Sequence, residues 1–452
     1  MKRKYKTENS GQYSCLRLAQ TAAFVLSLGL AFDQRKLGLL PVTAPPESAP
    51  PRRALLAPFQ VRSFRFQWPA DLLTSWAQEM ETLILNWYIL TATGSVMMLT
   101  LFASLQFLGT LLAPAIGSIA DTLGRRRVLC WLRASYAGLA GILMVTGLTG
   151  VLTPELVFVV AIFAGLVRPS DLVMRNSMIG DTMSPNLLGS AMGLSRMTMD
   201  TARIAGALAG AGLFATVGLG YAYTGVVAFY TISLLLTLGT SRVKPDRGSE
   251  PFKIVREVKD GLAFTWRTPR IKAFMFYAFL VNMCAFPITM GVLPFAAKEV
   301  FGLDETGLGQ MMAMFGIGAV IGSLVIAVTG GPKQRGRYVV GYIVVWYLLL
   351  LAFGQATEPW QAYVLLGLIG FSQGVSMLTM TIALLDAAGP VMRGRVMGVR
   401  MLAVYGMPIG LLAGGWLVSN VGYVNMVLVY CAIGILATVT IAVKWREALL
   451  RD

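Results

Sequence analysis

The segment "GSIADTLGRRR", residues 117–127, brings one acid, Asp121, and three consecutive arginines into a glycine-punctuated turn. Long apolar stretches flank it, so the charges mark a short loop where the chain leaves a lipid bilayer and turns back into it. Apolar runs of about 20 residues, the length that spans a bilayer as helix, recur on both sides of this loop. They lie near 68–90, 96–120, 128–150, 155–178, 190–216 and 221–240, then near 272–296, 307–329, 338–356, 360–385, 395–418 and 422–443. Two sets of six predict an all-α polytopic membrane protein with twelve transmembrane helices in two six-helix bundles, over residues 66–241 and 271–445.

Composition agrees. Of 452 residues, 56% are hydrophobic and 13% charged, against about 25% charged in soluble domains. The net charge of +16 is spread over short loops instead of a solvated domain, which argues against nucleic acid as a partner and for anionic lipid. Arg125 to Arg127, Lys333, Arg335, Arg337, Arg393, Arg395, Lys444 and Arg446 fall on one side, whereas the opposite loops hold Lys298 among Glu155, Glu299, Asp304, Glu305 and Glu358. The basic side is cytoplasmic by the positive-inside rule, so both termini are inside. The sequence has no Asn-x-Ser/Thr sequon, which favours a bacterial inner membrane.

The chain has no histidine, and Cys15, Cys130, Cys284 and Cys431 are far apart. This removes the usual ligands and bases of metal-dependent and Ser-His-Asp chemistry. No GxxxxGK[ST] loop occurs, so ATP drive is not encoded. The expectation is a non-enzyme with no cofactor and no metal.

Outside the bundles, residues 242–270 read as a cytoplasmic linker ending in a surface helix, with Phe252, Ile254, Val255, Val258 and Leu262 as its apolar face. Residues 1–65 read as an N-terminal extension, disordered or interfacial, and residues 446–452 as a cytoplasmic tail.

The halves resemble each other. "PNLLGSAMGLSRM" from Pro185 and "PVMRGRVMGVRM" from Pro390 share Pro, Gly, Met and Gly in register 205 positions apart, and "GSI" at Gly117 with "GSL" at Gly322 repeats that offset. A duplicated six-helix unit places a binding cavity between two bundles, reached from each side in turn by rocking. Gly206, Gly210 and Gly212 in the fifth helix and Gly406, Gly410, Gly414 and Gly415 in the eleventh are candidates for the contacts along which the bundles move, with static helix packing as the other reading of each.

The opening segment resembles the signature of the major facilitator superfamily, Gly-x-x-x-Asp-x-x-Gly-Arg-Lys/Arg between the second and third helices, at Gly117, Asp121, Gly124, Arg125 and Arg126. "RGRVMG" after Pro390 and "GMPIGLLAGG" from Gly406 are similar to the proton-driven drug and siderophore exporters of that superfamily. The resemblance implies a gating latch in which Asp121 accepts hydrogen bonds from Arg125 and from the N-terminus of the eleventh helix. One departure stands out: those antiporters usually have Gly-Pro where this chain has Gly206-Ala207.

Ionisable side chains inside spans are functional candidates. Glu79 shares a helix face with Asn86, near Trp76, while Glu81 lies about 200° away around the helix. The resemblance implies an acid in the first helix as proton carrier, and the position of Glu79 fits. Asp171 is a second proton-coupling candidate. Arg168, Asp171 and Arg175 form a stripe on the fourth helix, and Arg196, Asp200 and Arg203 one on the fifth. Matching depths predict ion pairs Arg168–Asp200 and Asp171–Arg196. Shifted by 205, Arg168 becomes Gln373, Asp171 becomes Ser376 and Asp200 becomes Tyr405, so charge switching is assigned to the first half. The second half offers Asn282, Gln373, Tyr405 and a methionine-rich surface to a substrate, with Trp76 and Asn86 across the cavity.

The function expected is proton-coupled efflux of a small amphiphilic molecule by a chain acting as a monomer. The partners are substrate, protons and the bilayer. Import or uncoupled facilitation of a small metabolite is the alternative within the class. A membrane enzyme or sensor is the alternative outside it, and the sequence offers no nucleophile–base pair at one depth for the former.

Overall fold

A computed structural model describes residues 56–110, 122–241, 251–329 and 331–450, with Ile116, Ile119 and Ala120. Among them every regular element is helical. Helix α1 (Arg62–Thr93) ends at Gly94, whose left-handed φ of 63° lets its N–H close on the Leu90 carbonyl. Helix α2 (Val96–Thr110) starts under Ser95, whose hydroxyl accepts from the Met98 N–H. Then come α3 (Arg125–Leu148) and α4 (Pro154–Thr182), the latter opened by a Thr153 cap with Pro154 in its first turn. The run Pro185–Leu238 is broken at Gly218, φ 76° and ψ 174°, into α5 (185–217) and α6 (219–238).

The second half follows α7 (Pro251–Arg267). It comprises α8 (Pro269–Val300), α9 (Glu305–Thr329), α10 (Arg335–Gln355), α11 (Pro359–Gly389), α12 (Met392–Val421) and α13 (Tyr423–Lys444), before the short α14 (Arg446–Leu450). Nine runs among the described residues are long and apolar enough to cross a membrane. One of these is α5 and α6 joined, and α1 and α2 complete the twelve. Asp71, Glu79 and Glu81 dilute the hydropathy of α1, and two of these three are neutralised by arginines of neighbouring helices.

The backbone carries the duplication. Gly165 in α4 packs on the Leu105 carbonyl and Gly370 in α11 on that of Phe315, each so close that an added Cβ would lie 2.0 Å from the oxygen. Gly422, between α12 and α13, adopts φ 89° and ψ 162°, matching Gly218. The offset is not uniform, however. Gly165 and Gly370 are 205 apart, whereas α3 and α10 begin at Arg125 and Arg335, 210 apart.

Between the halves, Gly309 of α9 faces Ala211 of α5 and Gly415 of α12 faces Thr100 of α2, where a Cβ would meet atoms at 2.5 and 1.9 Å. Both contacts lie toward the face away from the basic loops. Toward the basic face, a Cβ at Gly189, Gly193, Gly394 or Gly398 would meet nothing within 4 Å. The halves touch at one end and part toward the other. Most of the seven candidate glycines pack helices within one half: Gly206 and Gly210 seat α1, Gly406 and Gly410 seat α8, and Gly414 meets Met426. A Cβ at Gly212 would meet nothing, and of the seven only Gly415 bridges the halves.

Surface helix α7 docks on the second half through Asp260, 3.7 Å from Arg395. At the start of the first half, a 3-10 turn Ala57–Gln60 sets Phe59 edge-on to Phe64 and Trp68, with ring centroids 5.3 Å apart in both pairs. The bundle thus begins inside the segment expected to be disordered or interfacial, because these aromatics find one another. Residues 1–55 lie outside the described residues.

Candidate functional site

A cavity of about 230 Å³ lies between the halves. Its first-half wall is mostly polar: Gln78, Glu79, Thr82 and Asn86 from α1, Gln106 from α2, Arg168 from α4 and Arg203 from α5, with Ala103 and Phe107 of α2 as its apolar part. The second-half wall is apolar except for Thr289, with Met290, Leu293 and Pro294 on α8, Leu308, Met312 and Phe315 on α9, and Met407 and Leu411 on α12. Around Pro287 and Pro294 the wall of α8 widens into π-helical turns, Pro287–Gly291 and Ala296–Val300. Such turns redirect side chains within a helix and recur at functional sites.

Helix period separates the two acids of α1. Glu79 lines the cavity, backed by Gly206 of α5, which leaves room for its Cβ, and its carboxylate has no hydrogen-bond or ion-pair partner among the described residues. Glu81 points into the first half, accepting from Arg168 Nη2 at 2.6 Å and the Tyr230 hydroxyl at 3.0 Å. Arg168 also donates to Gln106 Oε1 at 2.8 Å and Thr82 Oγ1 at 3.2 Å. Its charge is thereby spoken for although it reaches the cavity.

Deeper in the same half, α1, α3 and α4 bury a balanced quartet of two acids and two arginines, Asp71, Arg133, Asp171 and Arg175. Arg133 pairs with Asp71 and donates to the Thr237 hydroxyl, while Arg175 pairs with Asp171 and donates to Ser75 Oγ at 2.8 Å. Arg133 Nε also lies 3.9 Å from Asp171, and Arg175 Nε 3.7 Å from Asp71. Burying such charges is tolerable only when each is matched and hydrogen-bonded. None of the four lines the cavity, so Asp171 is engaged in packing the bundle.

The expected ion pairs are corrected accordingly. Arg168 binds Glu81 instead of Asp200, Asp171 binds Arg175 and Arg133 instead of Arg196, and Arg196 and Asp200 pair along their own helix at 3.4 Å. Depth was matched but azimuth was not: α4 turns its ionic stripe toward α1 and α3. The sequence reading missed Asp71 and Arg133. Arg133 lies within an apolar span, "VLCWLRASY", and that position alone marks it.

Of the expected cavity residues, Asn86 lines the space and the others do not. Trp76 packs edge-on against Phe229 with centroids 6.3 Å apart, and Asn282 donates to its own helix at the Ala278 carbonyl, 2.7 Å away. Gln373 is buried in α11, and Tyr405 precedes the straight part of α12.

In the signature loop, Gly117 and Asp121 lie outside the described residues. Gly124, with φ 93°, starts α3. Arg125 pairs with Asp181 at the end of α4, and Arg126 donates to the Leu238 carbonyl at the end of α6, so both bind the first half. The second half repeats this contact as Arg335–Asp386, with Asp386 lying 205 positions after Asp181. Asp386 of α11 supplies the anion of this second-half contact.

The solved structures that share this architecture include three transporters. The human organic anion transporter MFSD10 (TETRAN) is 17% identical, TM-score 0.61, covering 87% of this chain and 100% of that one. The nucleoside transporter NupG is 16% identical, TM-score 0.67, over 86% and 100%. The POT family transporter PepTSo is 13% identical, TM-score 0.66, over 87% and 99%. No curated protein matches the sequence. The family model of the Major Facilitator Superfamily matches residues 68–406. With twelve spans in two six-helix halves and a cavity between them, this multi-pass membrane protein belongs to the Major Facilitator Superfamily of transporters.

Proposed function

We propose that the protein is a proton-coupled exporter of a small amphiphilic molecule, working as a monomer by alternating access in a bacterial inner membrane. The observation that carries this reading is the Glu79 carboxylate, without a partner among the described residues, in a cavity shared by both halves. A carboxylate that no arginine holds is free to exchange a proton with whichever side the cavity faces, and the apolar wall opposite gives an amphiphile somewhere to lie. The basic loops at the parted end support a cytoplasmic opening, the side from which an exporter loads. One charge moving down the membrane potential supplies about 2.3 kcal/mol per 100 mV.

Accumulation of amphiphilic dyes and antimicrobials in pump-deficient bacteria tests the reading. The wild-type chain lowers accumulation of at least one compound, and both an uncoupler and Glu79→Gln abolish the effect. Export that survives Glu79→Gln but not Glu81→Gln moves the proton to the Arg168 pair. If no compound is expelled by the wild type, the export reading fails.

A further inference from the structure

We infer that the cavity takes an organic anion, with its acid group at Arg203 and its apolar body on the wall formed by α8 and α9; this rests on the transport reading above and names its substrate class. Three charged side chains reach the cavity: Glu79, Arg168 and Arg203. Arg168 is neutralised by Glu81 at 2.6 Å. Arg203 is partly buried, yet it has no carboxylate or hydrogen-bond acceptor among the described residues. Its nearest acid along α5, Asp200, is held by Arg196 at 3.4 Å. Once Glu79 carries a proton, Arg203 is the one uncompensated charge on the described cavity wall, and an anion is the ligand that balances it.

The approach to the site has the same sign. Arg203 lies three residues, about 4.5 Å of helix rise, nearer the parted end than Gly206, the residue that backs Glu79. Further out on α5, Arg196 is 65% exposed and its charge is balanced by Asp200. In the second half Arg400 of α12 donates to the Thr381 hydroxyl at 2.6 Å and has no carboxylate partner among the described residues. Positive charges at the mouth and at depth raise the local concentration of anions and guide them inward. Opposite Arg203, Met290, Leu293, Met312 and Phe315 present an apolar surface. Its methionines adapt to bodies of different shape, so the charge is the selective feature and the body the permissive one.

Three probes with one naphthalene body separate the possibilities: 2-naphthylacetate, 2-naphthylacetamide and 2-(2-naphthyl)ethylamine. Binding is measured to the purified full chain in lipid nanodiscs. The acetate binds about tenfold tighter than the amide or the amine, the range of one ion pair in a partly desolvated site. Arg203→Gln removes the preference while leaving amide binding in place, and Arg203→Lys, which restores the charge, keeps it. Equal or tighter binding of the amide or amine by wild type, no saturable acetate binding, or an acetate preference that persists in Arg203→Gln would overturn the proposal. The same probes in proteoliposomes separate this inference from the transport reading. Acetate that binds and is not moved under either a proton gradient or a potential removes transport and leaves the anion site. Movement of the amine alone does the reverse.

Discussion

Helix α4 and its counterpart α11 share a backbone contact, Gly165 on Leu105 and Gly370 on Phe315, but bury opposite chemistry. Where α4 holds Arg168, Asp171 and Arg175, α11 holds Gln373, Ser376 and Met380. Where α3 buries Arg133, the position 210 further on in α10 is the fully buried Ile343. The six-helix plan therefore closes equally well around charges or around neutral side chains, and the charges of the first half are not a requirement of the fold. They accompany the polar cavity wall, which belongs to that half alone. The second half contributes the apolar wall and the irregular α8.

The comparison breaks most visibly at the buried quartet. Asp71→Ala or Arg133→Ala strands a charge and costs about 3–5 kcal/mol, enough to deplete folded protein in a fluorescence-detected size-exclusion melt. Replacing both, Asp71→Leu with Arg133→Met, recovers most of that loss. In the second half Ser376→Ala, at a buried hydroxyl with no hydrogen-bond partner among the described residues, changes the same melt by less than about 1 kcal/mol.

Glu79→Gln sharpens the contrast on the functional side. Uncoupler-sensitive export falls at least about tenfold, equivalent to about 1.4 kcal/mol, with folded yield unchanged because the side chain faces an open cavity. Smaller effects follow at the contacts between halves. Gly415→Val forces bulk against Thr100, costs about 1–3 kcal/mol and raises labelling of residues at the face away from the basic loops. Gly398→Ala, where a Cβ meets nothing, changes stability by under about 0.5 kcal/mol. The smallest expected effects are at the paired loop contacts: Arg125→Ala and Arg335→Ala each cost under about 1 kcal/mol, as partly exposed ion pairs do.

Much of this was written in the sequence. Apolar run length gave the spans, and helix period put Glu79 and Asn86 on the cavity face while sending Glu81 into the bundle. Helix rise alone could not choose the partner of Arg168, since depth says nothing about which neighbour a stripe faces. The apolar wall was hidden for another reason: Leu293, Met312 and Phe315 look like any core residue until the halves are placed around a cavity. Asp181 and Asp386 were obscured because each serves a loop that is distant in sequence.

In the proposed transport cycle the halves rock about their contact at Gly309 and Gly415 under control of the Glu79 proton. Spin labels at Gly193→Cys and Gly398→Cys, in a chain whose native cysteines are replaced by alanine, report the width of the parted end by electron–electron resonance. The account predicts a distance distribution that shifts between alkaline and acidic buffer in the otherwise native chain and stays fixed in Glu79→Gln. A distribution indifferent to pH, or one that shifts equally with Glu79→Gln, would contradict it.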